Sequence, residues 1–540
     1  MVGELSSDKL YSVIGKPYPP FYTFWRKDPT FDDQEIPTYI KDLKRYYESL
    51  GYFRARFTPR TEPDKIVIEI DRGEPIRVAS IRVHPDSNYT RLILFKKGDI
   101  FRTDRFKASK EKIERYMMEH AHPKYRFDAK AYVHLDNYRV DLDYLIDANM
   151  SCTFGDTSIS GQGDVKKEII EDAITYKKGA PFDVRELEKT YDNIYEYGIY
   201  DYIAVEPKLD RNGSVVPIDI ALKTGDTKFL KTSIGYDTDL GARGGIRWTD
   251  KNFYGNLKVL DLGIQINERG YESFATYYDP RIILPYAGKI TLEDRIKYYY
   301  HDYDSFSERV WENRFTLGKR FVGLEHYFGI LTETSSVKPK VPGYSDEKGN
   351  YFINSFFYRV LVDKRDSMIN ATRGYYLSLY LERATSVLGS DITYFKALAE
   401  GRYIKSLGHE TVLGLKTRIG AIDKDVPLFK RFYTGGSIFN RGYAFQRVGT
   451  IVGGVPLGGV SLMDLMVEMR RRLFFEKFWL SAFYDTSTLS MHPHDYSGTW
   501  YPSVGMGIRY ITPIGPLRVD FGFPQKAHGF EFHISIGQVF

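Results

Sequence analysis

From about residue 227 to the end of the 540-residue chain, apolar side chains recur at every second position. Phe532, Ile534, Ile536 and Phe540 share one face of the last segment, and His533, Ser535 and Gly537 share the other. Leu517, Val519, Phe521 and Phe523 alternate with Arg518, Asp520 and Gly522, and Val504, Met506, Ile508 and Tyr510 with Gly505, Gly507 and Arg509. Period two belongs to strands, whose successive side chains point to opposite sides of a sheet. An aqueous sandwich alternates too, but here one face is almost wholly Phe, Leu, Val and Ile while the other carries Arg and Asp. That is the pattern of lipid outside and a wet lumen inside. About sixteen such segments fit between 227 and 540, at roughly 20 residues each with loops, which suits an antiparallel transmembrane β-barrel. No run of 18 apolar residues occurs, so no membrane-crossing helix is expected, and a barrel needs none. The 44 Tyr and 35 Phe suit strands and membrane interfaces.

Residues 1 to about 225 follow another rhythm. Ile36, Ile40, Leu43, Tyr47 and Leu50 step by helical spacings and stop at Gly51; Val184, Leu187, Tyr191 and Ile194 do the same before Gly198. A third helix is expected from Phe106 to about Glu119. Strand pairs are expected after each: Tyr52–Thr58 with Lys65–Asp71, Ala129–Leu135 with Tyr138–Ile146, and Tyr200–Pro207 with Val215–Leu222. A glycine turn recurs ahead of each of these helices, in Ile14-Gly15-Lys16-Pro17, Lys97-Gly98-Asp99-Ile100-Phe101 and Lys178-Gly179-Ala180-Pro181-Phe182. Three copies of a β-α-α-β-β unit make a modular array. The first copy has no room for its opening strand, carries an extra aromatic segment, Tyr18–Phe31, and follows a start without a charged or apolar leader. An N-terminally incomplete, mature form is therefore expected.

Several function classes fall away. Lys+Arg number 76 and Asp+Glu 71, with no basic block, so nucleic acid is not an expected partner. The lone Cys152 excludes an intramolecular disulfide. Gly161-Gln162-Gly163 lacks a third glycine and a strand–helix setting, and Gly459-Val460-Ser461-Leu462-Met463 lacks the second glycine of a nucleophile elbow. His120-Ala121-His122 and His492-Pro493-His494-Asp495 lack a third ligand at a known metal spacing. No enzymatic activity, cofactor or metal is expected.

The most specific stretch is Thr434-Gly435-Gly436-Ser437-Ile438-Phe439-Asn440-Arg441-Gly442-Tyr443, inside the longest loop of the barrel half, about 422–459. Glycines let a loop fold back into a barrel, and an Arg on its tip then needs an anionic partner. Glu468 and Asp485 qualify by parity: Leu465, Val467 and Met469 on one strand, and Phe478, Leu480, Ala482 and Tyr484 on the next, face lipid, so both acids face the lumen. Here the chain resembles the BamA/TamA superfamily of outer-membrane assembly factors, whose sixth extracellular loop carries a Gly-Gly-Ser…Arg-Gly-Tyr/Phe motif. Several stretches look most like its TamA branch: Pro456-Leu457-Gly458-Gly459, Glu468-Met469-Arg470, Tyr510–Asp520 and the terminus Ser535–Phe540, with Gly235-Tyr236-Asp237-Thr238 and Trp248–Gly255 at the barrel entry. Asn440 departs from the family, which usually has Val or Ile there.

The resemblance implies α+β POTRA (polypeptide-transport-associated) repeats at 1–73, 74–148 and 149–225, then a sixteen-stranded barrel at 226–540. It implies that Gly435, Gly436, Arg441, Gly442, Tyr443, Glu468 and Asp485 form a loop brace, with Glu468 and Asp485 as partners of Arg441. The barrel must close strand one, about Phe229–Asp237, on strand sixteen, about Phe530–Phe540. Lys231, Thr232, Ser233 and Gly235 interrupt strand one, and glycine inside a strand weakens it. A lateral gate is expected there, with Leu230, Ile234, Gly235, Ile534, Ile536, Gly537 and Phe540 along it. The implied function is reception of unfolded barrel or autotransporter clients at the repeats and their insertion through the seam. The implied setting is the outer membrane and its lipids, with the repeats in the periplasm of a Gram-negative bacterium and a TamB-like partner anchored in the inner membrane. Alternatives are a two-partner-type secretion pore, a truncated BamA, and a passive porin with periplasmic domains.

Overall fold

A computed structural model of the protein describes residues 7–17, 29–62, 65–85, 88–209, 213–286, 288–408, 410–473, 477–512 and 515–536. Gly537 and Phe540 of the expected gate, and most of the aromatic segment Tyr18–Phe31, lie outside these residues. The chain forms two compact units, Met1–Gly225 and Asp226–Phe540.

In the first unit, three helices carry the expected periodicity. Ile36–Ser49 buries Tyr39, Leu43 and Tyr47 and ends at Gly51, whose φ of +97° is a left-handed stop. Thr103–Glu119 buries Ile113 and Met117, and Val184–Tyr195 buries Leu187 and Ile194. Tyr191, expected on that buried face, is exposed. Thr190 is buried instead, because its hydroxyl donates to Glu186 O (2.8 Å) and accepts from Thr175 N (3.2 Å), so a polar group is buried satisfied. The turn glycines Gly15, Gly98 and Gly179 all have positive φ, of 72°, 93° and 84°. Two of the three sheets are three-stranded. Arg77–His84 runs parallel to Arg139–Asp147, which pairs antiparallel with Arg126–His134. Thr153–Ser160, Val215–Thr224 and Tyr200–Pro207 repeat that arrangement. The most N-terminal sheet holds Arg56–Glu62 and Lys65–Asp71. Its first strand starts at Arg56 rather than Tyr52, because Tyr52–Ala55 turn out of the helix, with Tyr52 N bonded back to Tyr47 O (2.9 Å).

The second unit is one sixteen-stranded antiparallel sheet. Its strands are β1 (Lys228–Asp237), β2 (Gly241–Phe253), β3 (Lys258–Asn267), β4 (Gly270–Leu284), β5 (Gly288–Asp302), β6 (Phe306–Phe321), β7 (Leu324–Pro339) and β8 (Gly349–Asp363). They continue as β9 (Gly374–Ala384), β10 (Tyr394–Gly408), β11 (Thr411–Ile422), β12 (Ser461–Arg472), β13 (Phe478–Ser490), β14 (Trp500–Thr512), β15 (Gly515–Pro524) and β16 (Glu531–Ile536). Each strand pairs with the next in the chain, and β11 with β12 across the long loop. Alternation becomes geometry here. Along β12, Asp464, Glu468 and Arg470 are buried while Met469 is exposed; along β15, Arg518 and Asp520 are buried while Leu517, Phe521 and Phe523 are exposed. Charge inside and bare apolar surface outside invert a water-soluble fold and match a barrel whose outer solvent is lipid.

Candidate functional site: the loop brace and the barrel seam

Between β11 and β12 the long loop turns back into the barrel, and Arg441 sits there with no solvent exposure. Its Nε and Nη2 donate to the two oxygens of Asp485, at 2.7 and 2.9 Å, as a bidentate fork. Its backbone N donates to the same carboxylate at 3.1 Å, and Nη1 donates to Glu468. Arg509 on β14 extends the cluster, reaching Glu468 at 3.0 Å and Asp520 at 2.6 Å. The Arg441 guanidinium also lies 3.5 Å from the centroid of the Phe483 ring. Glu468, Asp485, Arg509 and Asp520 are all buried as well, so their charges must compensate one another.

Glycines make the approach possible. A Cβ on Gly442 would lie 2.2 Å from Ser503 Cβ, so the turn carrying Arg441 fits against β14 only without a side chain. Gly436 has φ +97° and sits where a Cβ would meet the Asp239 carboxylate at 2.9 Å. Gly435 likewise has a positive φ, 108°. Tyr443 is buried, edge-on to Tyr501 with centroids 5.7 Å apart. Asn440 has its own polar partners: it donates to Tyr501 O (2.7 Å) and Ser487 Oγ (3.3 Å) and accepts from Ser503 Oγ (2.8 Å). An aliphatic residue there would lose all three of these bonds.

The structure thus brings Gly435, Gly436, Arg441, Gly442, Tyr443, Glu468 and Asp485 into one cluster. Sequence reasoning missed Arg509 and Asp520 as members. Both were visible as lumen-facing charges, but parity gives a side chain's face and not its depth. It also missed a second anchor, Lys430 on Glu333 of β7, and a third, Ser437 on Asp239 in the β1–β2 turn.

The gate residues lie at the two ends of the sheet. Leu230 and Ile234 of β1 point outward, Ile234 almost fully exposed, and Gly235 packs under the Arg243 side chain. Ile534 and Ile536 on β16 are half-buried. β1 pairs with β2 through ten residue pairs, from Gly241↔Asp237 to Asp250↔Lys228. Across the seam, among the described residues, β1 and β16 form no ladder. Among the described residues one backbone bond joins the two sides, Thr238 N to Ile534 O at 3.2 Å.

Tandem α+β units, a sixteen-stranded barrel with an apolar exterior, and a loop braced in the lumen define an outer-membrane β-barrel protein with an inward-folded loop. The protein belongs to the Omp85 superfamily, whose domain matches residues 221–540. It is 20% identical to the outer membrane protein assembly factor BamA of Neisseria meningitidis, over 94% of this chain and 72% of that protein. It is 21% identical to BamA of Nitratidesulfovibrio vulgaris, over 82% of this chain and 58% of that protein. A SAM50-like protein of Schizosaccharomyces pombe is 24% identical over 63% of this chain. The fold is similar to the crystal structure of BamA from Haemophilus ducreyi lacking POTRA domains 1–3, with TM-score 0.75 and 17% identity over 86% of this chain and 99% of that one. The protein is located in the outer membrane of a Gram-negative bacterium.

Proposed function

We propose that this protein inserts β-barrel clients into the outer membrane. The α+β units at 1–73, 74–148 and 149–225 act as POTRA domains that receive unfolded chains, and the β1/β16 seam is where client strands enter. One observation carries the reading: every neighbouring strand pair is joined by an antiparallel ladder except β1 with β16, where the described residues share a single backbone bond. An unpaired strand edge is a template for another strand, and backbone bonding there tolerates any client sequence. The edge residues Lys231, Thr232, Ser233 and Gly235 give β1 little apolar grip on a partner, which keeps exchange of partners cheap. The BamA and SAM50-like relatives support assembly as the activity. The finer assignment to the TamA branch, with a TamB-like partner and autotransporter clients, rests on the three repeats and on Pro456-Leu457-Gly458-Gly459 and its companion stretches.

A disulfide across the seam tests the reading. Cys152 is changed to Ser, and cysteine pairs are scanned between 230–236 and 532–536 for Cα atoms within about 7 Å. The oxidised staple should leave the fold intact and stop client insertion, and reduction should restore it. A staple between β12 and β13, near Val467 and Leu480, should have no effect. Full insertion through a stapled seam refutes lateral entry.

A further inference from the structure

The loop tip does more than brace one wall, because its residues touch both sides of the seam. Ser437 donates to Asp239, beyond β1, through its backbone N (2.9 Å) and its hydroxyl (2.7 Å). On the opposite side of the seam, with its Nδ1 3.8 Å from the Asp239 carboxylate, His533 of β16 places Nε2 3.1 Å from the Arg441 carbonyl oxygen. A carbonyl can only accept, so Nε2 carries the hydrogen, and the other ring nitrogen, Nδ1, is hydrogen-bonded with Thr238 Oγ1 at 3.1 Å. Arg518 of β15 donates to the Ser437 carbonyl (3.0 Å) and to Ser535 Oγ on β16. Asp239, Ser437, Arg518 and His533 are all buried.

We propose that this hub is a latch: Ser437 and the Arg441 carbonyl hold Asp239 and His533 together across the seam, so loop position controls gate opening. The proposal rests on the seam being the insertion site, and it names the positioning residues of that gate. The tip cannot follow both sides when they part. It is held to the C-terminal strands by Arg441 on Asp485 and Glu468 and by Arg518 on Ser437. Opening therefore breaks the bonds on the other side, Ser437–Asp239 and Thr238–His533, with Thr238 N–Ile534 O. A client or partner that draws the loop tip away from Asp239 would release the seam without touching either strand.

The test is amide hydrogen exchange on the whole protein in nanodiscs, without client, comparing wild type with Asp239→Ala, Ser437→Ala and Thr238→Val. Each variant loses bonds to a buried group, so exchange in β1 and β16 should quicken by about tenfold or more. Exchange in β12 and β13 should not change, which also shows that the barrel is folded. If Asp239→Ala fails to fold, the two milder variants carry the comparison. Unchanged exchange in β1 and β16 in the folded variants overturns the latch, and it does so even where a seam staple still blocks insertion. Faster exchange confirms the latch, and if insertion then proves indifferent to the staple, lateral entry alone is overturned.

Discussion

Arg441→Ala removes the centre of the brace, and the structure sets the size and pattern of the effect. The side chain is fully buried, its fork holds Asp485, its Nη1 holds Glu468, and its face lies on Phe483. Breaking a buried pair by removing one partner costs about 3–5 kcal/mol, and about 1 kcal/mol more goes with the aromatic contact. The two acids fare differently. Glu468 keeps Arg509 at 3.0 Å, with Arg470 at 3.8 Å. The Asp485 carboxylate directs its hydrogen bonds to Arg441 and keeps only the backbone N of residue 441. We therefore expect a loss of about 3 kcal/mol or more, most of it from stranding Asp485. Adding Asp485→Asn to Arg441→Ala should recover part of the loss, whereas adding Glu468→Gln should deepen it by depriving Arg509. Lysine at 441 should recover little, since it lacks the planar fork. Denaturant unfolding in detergent, followed by the mobility of unboiled protein on gels, measures the cost. Limited proteolysis within 422–461 reads the loop directly. A loss under about 1 kcal/mol with an unchanged digestion pattern, or equal behaviour of the two acids in the Arg441→Ala background, would refute the brace.

Gly442→Ala should cost about 2 kcal/mol by overpacking, since the new Cβ would meet Ser503 Cβ at 2.2 Å; unfolding in the same gel assay checks it. Unboiled protein should migrate faster than boiled protein, as a folded barrel does, and identical mobility with solubility in plain buffer would contradict the membrane fold. Burial pushes the Cys152 thiol above its usual range, so a maleimide at neutral pH should label the native protein far more slowly than the denatured one, as mass spectrometry would show.

Strand number and side-chain direction were legible because period two leaves little freedom once one face must meet lipid. The partners of Arg441 were legible for the same reason, since Glu468 and Asp485 occur at lumen parity on consecutive strands. Depth was not. Whether Arg509 or Asp520 stands level with the loop tip depends on strand tilt and inter-strand register, which no single segment encodes. Asp239 was missed because a turn residue has no parity, and its partner Ser437 lies 198 positions away. In the first unit the helical stripe identified Leu187 and Ile194 but misplaced Tyr191, because a hydrogen-bonded Thr190 is as good a core residue as an aromatic whose hydroxyl prefers water.

The loop's contacts also carry a consequence for how the barrel is completed. Arg441 finds its acids 27 and 44 residues later in the chain, while Ser437 reaches back 198 residues and Thr238 reaches forward 295 to His533. Contacts this distant in sequence close late, because the chain between them must first be ordered. Until β13 is in place Arg441 lacks its fork, and until β16 is in place the His533 contacts do not exist. A barrel that stops short of β13 therefore leaves Arg441 without its fork, and one that stops short of β16 leaves the loop tip unjoined to His533. Because the last of these contacts is made by β16, rigidity of the lumen is conditional on a finished wall.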